Sequence, residues 1–495
     1  MNNFDPKSQQ LNISAPVRGL GDSQYVGAGD LRNLDISNIP GIAQLNLAGV
    51  KKSGTVFSNA MPMWAVINND TNKTAFVVDS NHVVYTSDSS STYSTWTVVT
   101  HASASTGHGN GLRIWKGYLC LVGDTLIDWY KMSTATWVSN GWAGFTLQSD
   151  LLGHPVFNSL DDKIYVGNSQ YVNSIAEVAG QVFNPTSSIT YTATDKAVTL
   201  PSSYRVRCLE ELGTNLMIGT FVGSTLGTMS KVAKIYPWSR SGVILGIPIS
   251  VSEAGIHQMI NINNELYFQA GTIGRWYRTN GSTSAFLTRI PRNLNYTGTR
   301  NTISYPGAIL FHNSKIFTGL TVGGNGPSGV YSFNLDGKQL ALENSISTSN
   351  YNGGVIIGCL LDVSGSNDSY LIGWQDATNT VGGIDEVGED NFPGSYVGYF
   401  DSQMIAVGEA LQNRTFTKLE FYLDTVFTTG QGIQISYRTD SQSAYTLLGT
   451  YTFASEGAVR FRNKGIKITN AEQIQVRVAL TGGNGTPRFK YLILK

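Results

Sequence analysis

A repeat of about fifty residues runs through the middle of this 495-residue chain and constrains its fold more than any other feature. In each unit a polar turn is followed by a short apolar stretch and then, in most units, by a glycine, as in "CLEELGTNLMIGTFV" (208–222) and "AILFHNSKIFTGLTV" (308–322). The first unit has Asp79 where the others have glycine. Taking the aromatic or aliphatic residue ahead of that position as a marker gives Phe76, Tyr118, Tyr165, Leu216, Tyr267, Phe317 and Tyr370, at spacings of 42, 47, 51, 51, 50 and 53.

A period near fifty, with three or four short strands per unit, is typical of β-propeller blades. One blade cannot bury both faces of its small sheet, whereas blades stacked around an axis bury them against one another. The recurring glycine would permit a tight turn or close packing between blades. Two large β-sandwiches with accidentally recurring strands are the alternative, which the regular spacing disfavours. We therefore predict an all-β protein with a β-propeller of about seven blades over residues 53–390.

The pattern changes from about Asn391 onwards. Segments such as "QGIQISYRTD" (431–440) and "EQIQVRVALTG" (472–482) alternate between apolar and polar residues, which indicates strands with one buried face. They predict a C-terminal antiparallel β-sandwich over 391–495, joined to the ring through "FPGS" (392–395). Residues 1–52, rich in Asn, Asp, Gly and Ser, are predicted to be an extended N-terminal arm without a core of its own.

Composition limits what such a chain can bind. Lys+Arg and Asp+Glu both number 34, so the formal net charge is zero, which argues against electrostatic attraction of the whole protein to nucleic acid or anionic membrane. The zero net charge does not exclude a charged channel on one part of the protein. The widely spaced Cys120, Cys208 and Cys359 lie in apolar runs and are interpreted as buried small hydrophobes. No apolar run approaches the roughly 18 residues of a membrane span, and no usual signal peptide is recognisable.

No residue pattern predicts a catalytic, cofactor or metal site. The histidines lack the spacings of known zinc motifs; they are His82, His101, His108, His154, His257 and His312. Ser87, Asp88 and Trp96 loosely resemble the Asp-box turn of propeller glycosidases, but the turn occurs once and lacks its glycine. Asp161 and Asp162 are neighbours on a turn and are expected to face solvent, whereas glycoside hydrolysis needs two carboxylates held a few ångströms apart. We predict that the protein is not an enzyme.

The arm carries a likeness to a known family. Its residues are Gly19 and Leu20, then "LRNLDI" (31–36), then "PGI" (40–42), just ahead of the first repeat. This arm resembles that of tailed-bacteriophage virion tail proteins of the propeller type, namely the nozzle or tail tubular B-like proteins of short-tailed phages and related tail-hub proteins. The closing "TPRFKYLIL" (486–494) also looks like the C-terminal domains of such proteins, and the propeller is similar by architecture only.

The resemblance implies a structural component of the virion tail, acting as a conduit or adaptor through protein–protein interfaces. It implies other tail proteins as partners and a homo-oligomer, with a hexameric ring as one arrangement and contact with passing genomic DNA left open. The arm residues expected to form the interface are Leu31, Arg32, Asn33, Asp35, Pro40, Gly41, Ile42, Leu45 and Leu47.

Two other functions stay open. One is a receptor-binding propeller for a host-surface glycan, with Trp137 and Trp142 as sugar-stacking candidates, although packing between blades is the favoured interpretation of both. The other, less favoured, is a propeller glycosidase.

The segment "IAQLNLAG" (42–49) has apolar residues spaced to add a strand to an open sheet edge. Such a strand would complete the last blade of its own ring or, alternatively, extend a sheet of a neighbouring subunit. Either use gives the arm a structural role.

Overall fold

The computed structural model of the protein describes residues 3–5, 10–16, 30–32, 34–36, 42–54, 56–57, 60–101, 109–138, 147–148, 156–158, 160–223, 232–272, 274–289, 302–322, 328–335, 340–344, 346–348, 355–363, 369–376, 378, 380–388, 392–393, 398–407, 414–439, 442–483 and 485–495. This part of the chain is almost entirely β-strand. Its helical elements are the one-turn helix Phe453–Glu456 and the 3₁₀ turn Ser89–Ser91. No helix within these ranges is long and apolar enough to cross a membrane.

Seven antiparallel sheets, numbered here blades 1 to 7 in chain order, form the ring. Their first strands are Pro62–Ile67, Gly111–Trp115, Val156–Asn158, Arg205–Leu212, Ile256–Ile262, Ile309–His312 and Val355–Asp362. Their second strands are Ala75–Asp79, Tyr118–Val122, Lys163–Asn168, Asn215–Phe221, Glu265–Ala270, Lys315–Val322 and Tyr370–Asp376. Their third strands are Val84–Ser87, Ile127–Lys131, Tyr171–Glu177, Ala233–Trp238, Arg275–Thr279, Gly329–Asn334 and Val381–Val387. Their fourth strands are Thr97–Val98, Thr136–Trp137, Tyr191–Thr199, Ile249–Val251, Ser284–Arg289, Leu340–Asn344 and, in blade 7, Val50–Lys51.

The first strand of each blade lies at the centre of the ring. First strands of neighbouring blades contact one another from blade 1 through blade 7, and blade 7 contacts blade 1. Blade 6 has an additional short strand, Thr302–Ile303, which pairs with its second strand. The predicted propeller is therefore confirmed, with seven blades, and all seven sequence markers lie on second strands.

The glycines that follow the markers are where neighbouring blades approach most closely. A side-chain carbon at Gly319 would overlap Ile357 of blade 7, and one at Gly373 would overlap Pro62 of blade 1 as well as Cys359 of its own blade. One at Gly219 would overlap Cys208 of its own blade and lie 3.0 Å from Ile256 of blade 5. Glycine is required here because the second strand of one blade packs directly against the first strand of the next. Second strands such as Tyr118–Val122 are buried along their whole length, which explains why they read as continuous apolar runs.

Two sheets pack face to face to form the predicted C-terminal sandwich. In order across the first sheet, the strands are Asn3–Asp5, Gln10–Ser14, Phe489–Leu494, Arg414–Leu423 and Phe461–Ala471. Across the second they are Gly398–Asp401, Gln473–Thr481, Gly432–Thr439 and Thr446–Thr452, with Ile405–Ala406 also paired to Gln473–Thr481. Apolar side chains from both sheets share one core. The predicted arm thus contributes two of the ten strands to this unit.

The rest of the arm joins the sandwich to the ring. Strand Asp30–Arg32 runs parallel to the fourth strand of blade 6 and antiparallel to Gly398–Asp401, so blade 6 and one sandwich sheet form a continuous sheet. Leu34–Asp35 then pairs with Gln44–Leu45. The arm finally closes the ring, because Val50 and Lys51 pair with Glu386 and Asp385 of blade 7.

Candidate functional site

The predicted arm residues lie in the junction between blade 6 and the sandwich. Leu31 is fully buried, as are its neighbours in the same core. The Arg32 guanidinium lies 5.5 Å from the centre of the Tyr399 ring, and the guanidinium of Arg477 in the sandwich lies 3.9 Å from the same ring centre. Asn33, Pro40 and Gly41 fall outside the described residues.

Asp35 belongs to a buried cluster of charges. Its Oδ1 atom lies 3.3 Å from Nζ of Lys315 in blade 6, which also lies 2.8 Å from Oε1 of Glu343. The Ser332 hydroxyl donates to Glu343, and Nε2 of Gln44 donates to Oδ2 of Asp35 at 3.3 Å. All three charged side chains are largely buried. The cluster ties the arm to blade 6 by charge as well as by apolar packing.

The electrostatics of this cluster are those of two carboxylates sharing one ammonium group. Burial disfavours the charged form of Lys315, but Glu343 and Asp35 outweigh it and raise the pKa of the ammonium group. Burial raises the pKa of Glu343, and Lys315 opposes that rise. Removing Lys315 would leave two buried carboxylates without a compensating charge, so Lys315 stabilises both acids in their buried positions. Nothing local in the sequence links Asp35 to a lysine 280 positions away.

Ile42, Leu45 and Leu47 are placed differently from the strand predicted for them. Ile42 and Leu45 are buried and Leu47 is half-buried against blades 6 and 7. Gln44–Leu45 pairs within the arm, and the Leu45 amide donates to Oγ1 of Thr486 at 2.6 Å. The prediction that this segment itself completes the last blade was wrong, because Val50–Lys51 does so. The closing strand has only two residues, both at least partly exposed, which gave the sequence pattern little to detect.

The first strands enclose a small cavity at the centre of the ring. Its volume is about 180 Å³, and its lining includes Trp64, Arg113, Leu209, Glu210, Met259 and Ile309. Burial raises the pKa of Glu210 to about 7, an effect that the nearby Arg113 opposes. Among the described residues that line the cavity, Glu210 is the one with a carboxyl group, whereas glycoside hydrolysis uses a pair.

The residues considered for chemistry have structural partners. Asp88 caps the turn Ser89–Ser91 by accepting from the Ser91 amide at 3.1 Å, and Trp96 is buried with its indole N–H donated to the Tyr93 carbonyl. No group of three or more histidine, cysteine or acidic side chains suited to a metal occurs within the described ranges. The three cysteines are buried, as expected.

Asp161 and Asp162 point to different cations. Asp162 pairs with Lys116 of blade 2, whereas Asp161 accepts from the Tyr165 hydroxyl at 2.8 Å and lies 3.8 Å from Arg240 of blade 4. Both are exposed, as predicted, and they bridge blade 3 to its two neighbours.

Histidine and tryptophan side chains fill spaces between blades. His82 Nε2 and Asp128 Oδ2 are 3.3 Å apart across blades 1 and 2. Trp137 is half-buried, with its ring centroid 4.2 Å from that of His101. His257 is completely buried, and burial lowers its pKa to about 3. These contacts favour packing over sugar binding for Trp137. His108, His154 and Trp142 fall outside the described residues.

No family model matches the sequence, and no curated protein matches it. Solved structures do match. The extracellular domain of the hybrid two component system protein BT4673 from B. thetaiotaomicron aligns with 82% of this chain at 14% identity and a TM-score of 0.46, and the chain spans about half (46%) of that structure's length. The RRP9 WD40 repeats align with 70% of this chain and 99% of theirs, at 12% identity and a TM-score of 0.48. At this level of similarity neither protein indicates what this chain binds.

Proposed function

We propose that the protein is a structural component of a tailed-phage tail, nozzle-like or hub-like, that works through protein–protein interfaces and performs no reaction. The observation that carries the proposal is the arm. The segment that resembles phage tail proteins, Leu31 to Ile36, is the one that joins blade 6 to the sandwich. A segment used in this way serves cohesion between folded units.

The placement of the chemically capable residues supports the same reading. Asp88, Asp161 and Asp162 cap a turn or bridge blades, and the central cavity offers one carboxyl beside one guanidinium. Such contacts stabilise a ring. They supply neither an activated nucleophile nor an acid–base pair.

A conduit for DNA would have to be enclosed by several copies of the chain. A duplex whose major groove alone is about 12 Å wide could not enter a cavity of about 180 Å³ on the propeller axis. We therefore propose a homo-oligomer docked on other tail proteins. Because the formal net charge is zero, the wall of such a conduit would have little electrostatic attraction for the DNA that passes through it.

The test is electron microscopy of particles of a phage that encodes this chain, labelled with antibody against the protein. Gold label on the tail is the expected result, and label absent from intact and from opened particles would overturn the proposal. A glycan array run on the purified protein separates the receptor-binding alternative. Specific binding of a host-surface glycan, with label at the distal tail tip, would favour that alternative.

A further inference from the structure

The most exposed large aliphatic side chains of the described residues lie on one side of the ring, in two neighbouring blades. Their exposed fractions run from 71% for Val243 to 90% for Ile247, and the next most exposed large apolar residue, Leu447, reaches 54%. All six belong to blades 3 and 4; they are Leu160, Val182, Ile189, Val243, Ile244 and Ile247. We refer to them as the blade 3–4 face.

The topology places these six residues on the same side of the propeller. Leu160 lies in the turn between the first and second strands of blade 3, and the other five lie between third and fourth strands. In antiparallel blades those two kinds of connection emerge on one side. The Leu160 amide donates to Glu211 of blade 4, which also pairs with Arg240, three positions before Val243. The two blades are therefore in contact beneath the exposed residues.

The loops that present these side chains are held by internal contacts. In blade 4, Trp238 and Leu245 form a β-bridge, and the Gly246 amide donates to the Pro237 carbonyl at 2.7 Å. In blade 3, the Phe183 amide donates to Glu177 at 2.7 Å while the Phe183 ring is buried. These hydrogen bonds fix the loop backbones, so the aliphatic side chains point outward and are not buried within their own blades.

The charges around this face are paired within the chain. Arg240 pairs with Glu211 and lies near Asp161, and Lys116 pairs with Asp162. The face is therefore close to neutral, and the whole chain has a formal net charge of zero. Two copies can approach each other through this face without like-charge repulsion.

We propose that the blade 3–4 face is a two-fold contact between two copies of this chain, an inference that rests on the homo-oligomer of the proposed function. Each of the six side chains carries on the order of 100 Å² of apolar surface, so the face offers roughly 500 Å². A standard interface buries about 800 Å² per partner, somewhat more than half of it apolar. The face is thus large enough to be the apolar centre of one such interface.

The contact is assigned to two identical faces because the rest of the described surface has no comparable group of exposed apolar residues. A heterologous contact made by this face would need a second, complementary apolar area elsewhere on the chain, and contacts that close a ring of more than two copies must be made by other surfaces. The remaining exposed apolar residues of the described ranges are scattered and no more than 54% exposed. A two-fold contact needs only the face itself. The sandwich is attached at blade 6, two blades from blade 4 and three from blade 3, and the six side chains stay exposed in its presence.

Light scattering after size-exclusion chromatography tests the contact. The full chain is expected to have at least the mass of a dimer, and the I244D/I247D variant is expected to fall to half that mass or less. The L447D variant, which places the same charge on the most exposed apolar residue of the sandwich, should keep the wild-type mass. Circular dichroism should show an unchanged fold in both variants, because the altered side chains are exposed.

Cross-linking tests the two-fold geometry directly. The three native cysteines are buried, so I247C adds the accessible thiol. A bifunctional thiol cross-linker should convert it to a covalent dimer, and L447C should stay monomeric on denaturing gels. A wild-type monomer at every concentration, an I244D/I247D variant of wild-type mass, or a monomer that binds a different purified tail protein through this face would overturn the contact. If the antibody labels phage tails but the wild-type protein is a monomer, only the two-fold contact is refuted. If the wild-type protein is a dimer that I244D/I247D disrupts but the protein is absent from virions, only the proposed function is refuted.

Discussion

The buried charge cluster at the arm makes a quantitative prediction for Lys315→Met. Methionine keeps the length and apolar stem of lysine but leaves Glu343 and Asp35 without their shared cation. Removing one partner from a buried ion pair typically costs 3–5 kcal/mol. We expect a loss of about that size in the free energy of unfolding at pH 8. Urea titrations followed by circular dichroism and tryptophan fluorescence measure it as a shift in midpoint.

The pH dependence of the Lys315→Met loss has a definite sign. The pKa of Glu343 is raised in the folded protein, and losing the lysine raises it further. A group with a raised folded pKa stabilises below its unfolded pKa, about 4.3 for Glu, and that contribution is lost as the pH rises through the folded pKa. The deficit of the variant should therefore be smaller at pH 5 than at pH 8.

Two further variants separate this explanation from simple loss of packing. Lys163→Met removes an exposed lysine that lies 3.4 Å from Asp161, and it should cost less than about 1 kcal/mol. Lys315→Met/Glu343→Gln removes one of the two unpaired charges, leaves Asp35 charged and keeps an acceptor for Ser332, so it should recover part of the loss. An equal loss at both pH values, together with no recovery in the double variant, would refute the electrostatic account.

Three other outcomes follow from the fold. Deleting residues 1–50 should lower the melting temperature even of the monomer, because the arm supplies strands to the sandwich and to the junction with blade 6; unchanged melting by calorimetry would show that the arm is dispensable. Gly319→Ala should destabilise the ring by about 1–3 kcal/mol, since the added carbon would overlap Ile357, whereas Gly465→Ala on an open sandwich strand should be close to neutral. Equal urea midpoints for these two glycine variants would contradict the packing argument. Asp88→Ala should lose the turn cap with no change in glycan turnover, and sugar release that disappears with Asp88 would restore the glycosidase alternative.

The repeat could be found in the sequence because every blade solves the same packing problem. A second strand buried on both sides must be apolar and must bring a small residue against the next blade, so Gly319 and Gly373 follow their markers by two and three positions. The repeat of about fifty residues reflects this packing, and the number and order of the blades could be predicted from the repeat. The sandwich strands were predictable for a related reason, since one buried face imposes alternation.

The partners of the arm could not be predicted in this way. Asp35 meets Lys315, and Arg32 meets Tyr399, across separations of hundreds of residues, and single charged or aromatic residues carry no mark of such pairing. The closing strand is only two residues long, and the sequence pattern instead predicts a closing strand in the more apolar segment that precedes it. The exposed aliphatic residues near Val243 were equally hidden, because an apolar run between strands looks the same whether its side chains face inward or outward.

The two ends of the arm act on different parts of the same ring. Asp30–Arg32 is paired on both sides, to blade 6 and to the sandwich, so these units share one ladder of main-chain hydrogen bonds. Val50–Lys51 closes blade 7, which neighbours blade 6. Separating the sandwich from the ring would therefore break the shared ladder and expose Leu31 and the charges around Lys315 at the same time. Bonds that must break together resist force better than the same bonds broken in sequence, so this arrangement is compatible with the structural role that we propose.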